Sequence, residues 1–502
     1  MKPTVLVLLV LTASLLPAPA PAQDSLQFTS LVAGWAHTCG LTRDGRAYCW
    51  GWNPGGALGI GDTVVSTTPV AVTGGLTFTA LAASLLHTCG LTPSGAAYCW
   101  GDNSEGQLGA TTTERCSKLE NSPCSPMPLA VSGGLIFTAI SAGFQHTCAL
   151  TPTGAAYCWG RNDVGQLGRG DTLPSTPTPT TVAGGVRLVT LTAGGFHTCG
   201  LTPAGDAYCW GGNSVGQLGR GDDTTRGVTP APVSGGNRFK TLTAGRAHTC
   251  GVTQAQAILC WGSNADDQLG AAAVARCKDH GRTWPCSGTP VRVSDSVVAT
   301  AVSAGAGHTC ALTPAGRAYC WGANNKGQLG DGTATGRRAT RAVATDLSFA
   351  ALVAGGDYTC GLPSTGTPYC WGANRNGQLG NATGSDSGLP ARVAAATTVP
   401  SPIPALKLPG TTLADAALQS DTQNYLLTIG AALATDMSCP HARVFNTEVV
   451  KKPRNVQVRD GRMVRGEWTE RWTVNFCGKS VAFQIEYRAD GRGGVNFSAR
   501  AQ

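Results

Sequence analysis

Seven copies of one cysteine pattern constrain this chain more than any other feature of its sequence. In each copy two cysteines stand ten positions apart; the first follows His-Thr (Tyr-Thr in the last copy) and the second precedes Trp-Gly. Successive first cysteines are 50, 59, 51, 51, 60 and 50 residues apart. A spacing this regular predicts an array of equivalent structural units. The pairs are Cys39 with Cys49, Cys89 with Cys99, Cys148 with Cys158, Cys199 with Cys209, Cys250 with Cys260, Cys310 with Cys320, and Cys360 with Cys370.

The residues between the two cysteines of a unit predict a β-hairpin. In the first unit Asp44-Gly45 supplies a tight turn, because glycine readily adopts positive φ. A hairpin centred on Asp44 places Cys39 opposite Cys49. Opposed residues in an antiparallel pair lie about 4.5–5.5 Å apart at Cα, within disulfide range. We therefore predict a cross-strand disulfide in every unit, in preference to zinc sites, which usually need cysteines closer together in the sequence.

Two further strands complete each unit. One precedes the histidine, as in residues 78–81, and another follows the Gly-Gln-Leu-Gly turn, as in 69–72. Four short strands repeated radially are typical of propeller blades, so we predict an all-β, seven-bladed β-propeller over residues 27–393. The first unit begins at Phe28 without a Pro-Val strand before it, and the seventh ends with an extra one at 389–393. We expect that last strand to join the first blade and close the ring.

The turn after each hairpin carries a resemblance to a known family. At residues 101–109 it reads Gly-Asp-Asn-Ser-Glu-Gly-Gln-Leu-Gly. Together with the His-Thr-Cys-x-Leu and Ala-Tyr-Cys-Trp-Gly strands, it resembles the regulator-of-chromosome-condensation (RCC1) repeats over residues 28–393. The first unit departs with Ala57 in place of glutamine, and the fifth with Asp267 in place of the second glycine. The turn recurs around Gln166, Gln217, Gln328 and Gln378.

The resemblance implies a propeller and a protein-docking role rather than one particular activity. The founding member of that family is a nuclear guanine-nucleotide exchange factor, and a secreted β-lactamase inhibitor shares the architecture. Both use a propeller face as a docking surface for another protein. The exchange factor's contact residues lie in loops that cannot be matched to positions of this chain, so the resemblance transfers no site residue.

The N-terminus is typical of a signal peptide. Lys2 supplies a positive charge, residues 5–16 are apolar, and Ala20-Pro21-Ala22 forms a small-x-small cleavage pattern. We predict a signal peptide over residues 1–22 and no transmembrane segment, because the apolar stretch is too short to span a bilayer. The 20 cysteines, an even number, fit disulfides in an exported protein. We expect a secreted or periplasmic protein, which weakens the case for exchange on a cytosolic GTPase.

Histidine and tryptophan each recur at one position of the repeat. Six units have a histidine two residues before the first cysteine, and the seventh has Tyr358. A ring of imidazoles could bind metal, but tyrosine can replace histidine as a hydrogen-bonding aromatic, which favours a structural bond to a neighbouring strand. We interpret the tryptophans as packing between blades and predict no metal site and no cofactor. The histidines are His37, His87, His146, His197, His248 and His308; the tryptophans are Trp50, Trp100, Trp159, Trp210, Trp261, Trp321 and Trp371.

The two long steps of the repeat each contain an extra cysteine pair. In both units the first extra cysteine lies seven residues after the glycine of Gln-Leu-Gly, so both insertions leave the same point of a blade. We predict two disulfide-closed lobes on one face, three blades apart, one closed by Cys116 with Cys124 and the other by Cys277 with Cys286. Loops on a rigid ring often bind partners, although tolerated surface insertions remain the alternative. The candidate binding residues are Arg115, Lys118, Glu120, His280, Arg282 and Trp284.

A Pro-rich linker over residues 394–412 separates the propeller from a small α+β domain of unknown family over 413–502. We predict a helix from 413 to about 434, then strands around 456–464, 468–476, 481–487 and 495–498. Cys439 and Cys477 would join the helix end to the sheet. Clustered cations form a basic hairpin that could contact a polyanion or a membrane surface, or could simply be a solvated edge. Its residues are Lys451, Lys452, Arg454, Arg459, Arg462 and Arg465.

No motif of nucleophilic, phosphate-binding or metal-dependent catalysis occurs in the propeller. We therefore predict a non-enzymatic binding or scaffold protein that docks another protein at one propeller face. The net charge of +8 is mild for 502 residues and does not indicate specific nucleic-acid binding. Two alternatives stay open. One is a regulator or inhibitor of a specific enzyme, including nucleotide exchange. The other is an envelope hydrolase, which carboxylates converging at one rim of the channel would favour.

Overall fold

The structure is a computed structural model that describes residues 26–116, 122–221, 225–272, 275–279, 282–293, 297–396, 442–459, 462–476, 479–489 and 495–501. The predicted signal peptide, most of the linker, the predicted helix and the predicted pair of Cys439 and Cys477 lie outside these residues. All regular secondary structure in the described part of the chain is β-strand. Within it, no helix is long and apolar enough to cross a membrane.

Seven antiparallel sheets form the blades of a propeller and confirm the predicted fold class; in six of them each strand pairs with its neighbour in the chain. Blade one comprises β1 (Phe28–Ala33), β2 (His37–Thr42), β3 (Ala47–Gly51) and β4 (Ser66–Ala71). Blade two comprises β5 (Ala80–Ala83), β6 (His87–Leu91), β7 (Ala97–Asp102) and β8 (Cys124–Ala130). Blade three comprises β9 (Ala139–Ala142), β10 (His146–Leu150), β11 (Ala156–Gly160) and β12 (Thr176–Thr181), and blade four β13 (Thr190–Ala193), β14 (His197–Leu201), β15 (Ala207–Gly211) and β16 (Gly227–Pro232).

Blade five has one additional strand, because its insertion forms a hairpin with the outer strand. It comprises β17 (Phe239–Ala244), β18 (His248–Thr253), β19 (Ile258–Ser263), β20 (Ala275–Asp279) and β21 (Arg282–Arg292). Blade six comprises β22 (Ala301–Ala304), β23 (His308–Leu312), β24 (Ala318–Gly322) and β25 (Arg337–Ala342), and blade seven β26 (Phe349–Ala354), β27 (Tyr358–Pro363), β28 (Tyr369–Gly372) and β29 (Ser387–Arg392). The first strand of each blade lines the central channel.

The predicted hairpin register and its disulfide are confirmed in every blade. In blade one Cys39 lies opposite Cys49 and Thr38 opposite Trp50. Gly45 takes a φ of 79° at the turn, as the Asp-Gly step predicted. All seven bridges have Cα atoms 4.0–4.1 Å apart, and they join Cys39 to Cys49, Cys89 to Cys99, Cys148 to Cys158, Cys199 to Cys209, Cys250 to Cys260, Cys310 to Cys320, and Cys360 to Cys370.

The predicted closure of the ring by the last strand is wrong. The strand β29 pairs with β28 of its own blade, and blade one is complete with β1 to β4. The two ends of the ring instead meet through the contacts that every other pair of blades makes. Phe28 N donates to the carbonyl of Gly366 (2.8 Å), and Trp50 Nε1 donates to the carbonyl of Gln378 (3.0 Å). Each blade is built from consecutive strands of its own unit, so blade seven lends no strand to blade one.

One backbone carbonyl joins each blade to the next. It belongs to the glutamine of the Gly-Gln-Leu-Gly turn, or to Ala57 in blade one. The tryptophan Nε1 of the following blade donates to it at 2.9–3.0 Å. The threonine of the following His/Tyr-Thr-Cys strand donates to the same oxygen at 2.8–3.1 Å. These seven joints satisfy indole and hydroxyl groups that would otherwise be buried without partners.

The turn that presents this carbonyl is held by its own side chains. In all seven blades the turn asparagine accepts a hydrogen bond from the backbone N–H of the leucine five residues later, at 2.9–3.1 Å. The last glycine of the turn has no Cβ because the next tryptophan occupies that space. A Cβ on Gly168 would lie 2.7 Å from Trp210 Nε1. The Gly-Gln-Leu-Gly turn therefore provides the space into which the indole of the next blade packs.

The repeat tryptophans pack between blades, as predicted. Each is fully buried and joins a core cluster with the disulfide of the preceding blade. Trp210, for example, packs with Cys148, Cys158 and Leu167. A buried cystine presents an apolar surface, so these bridges contribute interblade packing as well as a covalent constraint on the hairpin.

The repeat histidines also act between blades, which favours the structural interpretation over metal binding. Each histidine Nε2 lies 2.8–3.0 Å from the hydroxyl of the threonine in the next blade. Because that hydroxyl donates to the turn carbonyl, it accepts from the imidazole, which fixes the Nε2–H tautomer. Burial lowers the pKa of His146 to about 3. Tyr358 replaces the seventh histidine, and its hydroxyl donates to the carbonyl of His37 at 2.5 Å and lies 2.9 Å from the hydroxyl of Thr38.

The C-terminal residues form a separate four-stranded antiparallel sheet of β30 (Ala442–Arg459), β31 (Arg462–Phe476), β32 (Lys479–Ala489) and β33 (Val495–Ala501). The strands β30 and β31 pair antiparallel, with Arg459 at the end of one opposite Arg462 at the start of the other. The prediction divided residues 462–476 between two strands, whereas the structure has one continuous strand. The basic hairpin, Lys451 to Arg465, lies on β30 and β31. Ile485 is fully buried.

Replacing Gly160 with alanine tests the turn geometry. Gly160 has a φ of 96°, and a Cβ there would lie 2.5 Å from the carbonyl oxygen of Gln145 and 3.2 Å from Gln107 Cα in the preceding blade. We expect the free energy of unfolding to fall by about 2–4 kcal/mol, from backbone strain and overlap. Chemical denaturation followed by tryptophan fluorescence measures it. Gly384→Ala, where a Cβ meets nothing within 4 Å, is the control. Equal stability of the two variants would contradict this account.

The buried histidines predict a loss of stability at mildly acidic pH. The unfolded chain protonates each histidine below a pKa of about 6.5, whereas burial holds the folded pKa of His146 near 3. Each such histidine therefore lowers the free energy of unfolding by about 1.4 kcal/mol per pH unit as the pH falls from 6.5 toward 4. His146→Tyr introduces the residue that blade seven has at this position. It should reduce the pH dependence of the free energy of unfolding by the contribution of one histidine. Chemical denaturation at several pH values between about 4.5 and 7 measures this dependence. The same pH dependence in His146→Tyr and in the unchanged protein would contradict the prediction.

A candidate docking face at the channel mouth

The propeller has two different faces. In each antiparallel blade the first and third connections emerge at the same end, and a backbone hydrogen bond joins them. Examples are Arg161 N to the carbonyl of Gln145 (2.8 Å) and Ala373 N to the carbonyl of Asp357 (2.9 Å). We call this side the loop face, and the side with the hairpin turns the turn face. The two lobes belong to third connections, so both lie on the loop face.

The first connections of the seven blades surround the mouth of the channel on the loop face. Small residues make up most of the lining of the pocket at this mouth. Larger side chains come from the two positions between the repeat glycine and histidine, which differ from blade to blade. They divide the mouth into an apolar side from blades one to four and a charged side from blades five to seven.

The apolar side is an aromatic cluster. The ring of Phe144 lies between Trp35 at 5.3 Å and Phe196 at 5.6 Å, in edge-to-face arrangements. All three side chains are partly exposed. The guanidinium of Arg246 lies 6.0 Å from the Trp35 ring, and that of Arg161 lies 5.7 Å from the Phe196 ring. Rigid, partly exposed aromatic residues of this kind are typical anchors of protein interfaces.

The charged side contains two carboxylates with raised pKa values. Loss of hydration raises the pKa of Asp357, against the opposing fields of Lys326 and Arg246. The pKa of Asp266 is also raised, first by loss of hydration. Asp266 Oδ2 would lie 2.7 Å from a Cβ on Gly307, so the carboxylate covers the first connection of blade six. The two carboxylates lie close enough for Asp266 to raise the pKa of Asp357.

Both predicted lobes contain the predicted disulfides. Cys116 and Cys124 have Cα atoms 5.7 Å apart, and Cys277 and Cys286 are 5.9 Å apart. In the second lobe β20 and β21 form a hairpin, and its disulfide packs against Val215 of blade four.

The structure places only part of the predicted binding set. Arg115 is exposed, and its guanidinium donates to the carbonyl of Glu114 at 2.9 Å. Trp284 lies opposite Cys277 on the hairpin and is 36% exposed. Arg282 begins β21 next to the hairpin tip. Lys118, Glu120 and His280 lie outside the described residues. The structure gives no contact between the two lobes, as far as their residues are described; they belong to blades two and five.

The comparisons with known proteins agree with this architecture. The RCC1-like domain model matches residues 11–285, and RCC1 repeat models match 299–328 and 315–362. The chain belongs to the RCC1 repeat family. Among curated RCC1-type proteins, it is 30% identical over 319 residues to the ultraviolet-B receptor UVR8 of Arabidopsis thaliana, covering 63% of this chain and 58% of the receptor. It is 29% identical over 204 residues to the probable E3 ubiquitin-protein ligase HERC4 of Mus musculus, covering 40% of this chain and 18% of that protein.

Solved structures show the same propeller. Human WBSCR16 superimposes with a TM-score of 0.61 at 19% identity, over 70% of this chain and 94% of that chain. Yeast RCC1 (Prp20), solved with Kap60, superimposes with a TM-score of 0.60 at 20% identity, over 77% and 91%. At these identities the likeness concerns the fold. The chain thus spans about half of the receptor's length and less than a fifth of the ligase's length.

The repeat pattern of this RCC1-repeat protein does not reveal the residues at the channel mouth. Trp35, Phe144 and Arg246 stand at positions where the repeat has no preferred residue. An alignment of the units therefore gives them no structural or functional role. The available signal was their variation: the pair before the histidine reads Trp-Ala, Leu-Leu, Phe-Gln, Gly-Phe, Arg-Ala, Ala-Gly and Gly-Asp. Radial symmetry brings all seven pairs together, whereas the sequence separates them by about 50 residues.

The two kinds of disulfide should differ in their effect on stability. Cys199→Ser with Cys209→Ser removes a bridge from an interblade core, and we expect a loss of about 2–3 kcal/mol in the free energy of unfolding. Cys277→Ser with Cys286→Ser removes a bridge from a small satellite cluster, and should mainly increase amide hydrogen exchange over 275–292. Mass-spectrometric exchange and chemical denaturation measure both. An equally large global loss from the lobe variant would show that the lobe is part of the core.

Proposed function

We propose that this protein is a secreted or periplasmic binding scaffold whose loop face docks another protein. The observation that carries the proposal is the aromatic cluster of Trp35, Phe144 and Phe196 at the channel mouth. It lies on the same face as both disulfide-closed lobes, one of which exposes Trp284. A face with partly exposed anchors on rigid connections fits a docking surface, because little conformational entropy is lost when a partner binds.

Relatives of this fold support a binding role. The solved structures of yeast RCC1 describe its complex with Kap60 and its binding to Gsp1p and histones. The ligase activity in the name of HERC4 does not extend to this chain, because the match covers 18% of that protein. Docking as a regulator or inhibitor of a specific enzyme is one form of this proposal, and identification of the partner decides it.

The cysteines support a location outside the cytoplasm. Nine disulfides join all the described cysteines, and buried bridges of this number are typical of exported proteins. This location argues against nucleotide exchange on a cytosolic GTPase. In the C-terminal domain, we propose the basic hairpin as a second contact, for anionic polymers. Its residues are spread along two paired strands on both sides of the turn.

An envelope hydrolase is the second candidate, because Asp266 and Asp357 stand at one rim of the channel with raised pKa values. A carboxyl group with a raised pKa suits a proton donor. We place docking first, because the aromatic cluster and the lobes have no role in such chemistry. Cell-wall glycan hydrolysis that disappears in Asp357→Asn would reverse this order.

Crosslinked capture from the cell envelope and medium tests the proposed function. We expect a partner of the mature protein to be lost when both lobes, Cys116–Cys124 and Cys277–Cys286, are replaced by short turns. The matched control carries Ile136→Ser and Val189→Ser, which alter exposed apolar side chains on the turn face. Capture that survives lobe trimming but fails in the control would contradict docking at the loop face. Capture that survives both would direct attention to the basic hairpin.

A further inference from the structure

The charged side of the channel mouth contains two carboxylates that lack the partners of their neighbours. Asp386 forms an ion pair with Lys326 at 3.5 Å, and Asp267 forms one with Arg338 at 2.9 Å. Within the described residues, Asp266 and Asp357 form neither an ion pair nor a side-chain hydrogen bond. Carboxylates usually acquire such partners when protein removes their hydration. This pair therefore differs from the surrounding acidic residues.

The cations that influence the two carboxylates have other partners, since Lys326 pairs with Asp386 at 3.5 Å. Arg246 influences the titration of both carboxylates, but its guanidinium stacks on Trp35 instead of pairing with either. Gly195 lies against the backbone of Arg246, where a Cβ would be 2.5 Å from the Arg246 carbonyl oxygen. The connection of Arg246 is thus closely packed on blade four.

Small residues leave room between the carboxylates and the aromatic cluster. The first connections of blades six and seven carry Ala306, Gly307 and Gly356, with no large side chain. Trp35 lies directly over Gly356, where a Cβ would be 3.1 Å from the indole Cδ2. Gly356 immediately precedes Asp357. The pocket at the mouth is lined by Trp35, Ala306 and Gly356 among others. The carboxylates stand beside these lining residues, Asp357 next to Gly356 and Asp266 over Gly307, and we call the pocket with this acidic edge the recess.

We propose that this recess binds a basic side chain on a loop of the partner protein, with Asp266 and Asp357 meeting the charge and Trp35 and Phe144 packing against its apolar neighbours. This inference rests on the proposed docking function and names the chemistry of the partner. A lysine or arginine has an apolar stem as well as a charged end, so it matches a site that is aromatic on one side and acidic on the other. A partner loop with an acidic residue would be repelled.

The charge balance explains why the recess suits a cation from outside the protein. Asp357 is partly buried and Asp266 more exposed, and the protein supplies neither carboxylate with a side-chain hydrogen bond or an ion pair within the described residues. A cation of a partner would pair with them without displacing an existing ion pair. A neutral apolar loop would cover the carboxylates and leave them without partners, at a cost in affinity.

A selection of short disulfide-closed random loops displayed on phage, against the full-length protein, tests the inference. We expect enriched loops to carry lysine or arginine beside a large apolar residue. For a synthetic loop of the enriched sequence, the dissociation constant should rise at least about tenfold in the Asp266→Asn, Asp357→Asn double variant. Trp35→Ala should weaken binding similarly. Asp346→Asn, on the turn face, is the matched control and should leave the affinity unchanged.

The outcomes separate this inference from the proposed function. Enriched loops without a basic residue, whose binding depends on Trp35 but not on the carboxylates, would overturn the inference and leave docking at the loop face intact. Loops whose binding is unaffected by all three mouth substitutions would overturn both. Circular dichroism and thermal unfolding of each variant establish that it is folded, so that lost affinity reports the recess.

Discussion

The whole ring depends on one hydrogen-bonded joint. The carbonyl at the glutamine position of each turn accepts from the tryptophan and the threonine of the next blade, and that threonine accepts from the histidine of the blade before it. The bonds to the turn carbonyl are buried and repeated at all seven interfaces, including the one between the last blade and the first. At that interface Tyr358 replaces the histidine, and its hydroxyl donates to the carbonyl of His37. Because the seventh interface is made in nearly the same way as the others, the ring closes without exchanging a strand.

This joint also explains which departures from the repeat the chain tolerates. Ala57 replaces a glutamine, but the joint uses the backbone carbonyl, so Trp100 still donates to it at 2.9 Å. Asp267 replaces a glycine and takes a φ of 62°, a conformation that asparagine and aspartate tolerate better than most residues. Its carboxylate then pairs with Arg338 of the next blade at 2.9 Å. Both changes preserve the interface.

Local patterns in the sequence predicted the local structure. The turn at Asp44-Gly45, the cysteine register and the interblade tryptophans follow from residues a few positions apart. Ring closure was mispredicted because Pro-Val strands were assigned to the start of a unit, whereas each pairs with the hairpin before it. The channel mouth was not identified, although the variable pair before each histidine was a signal, because Trp35, Phe144 and Arg246 are far apart in the sequence and meet only in the closed ring. The lobes were identified because an extra cysteine pair is visible without knowledge of neighbours in space.

The rigid ring leaves function to the connections on its loop face, and contact mapping tests that claim most directly. A photo-crosslinking amino acid in place of Phe144, on the loop face, would be compared with one in place of Ile136, on the turn face, in the envelope of living cells. The account predicts a specific crosslinked protein from position 144 and none from position 136. Crosslinks from position 136 alone would contradict it, because the docking surface would then lie on the opposite face of the propeller.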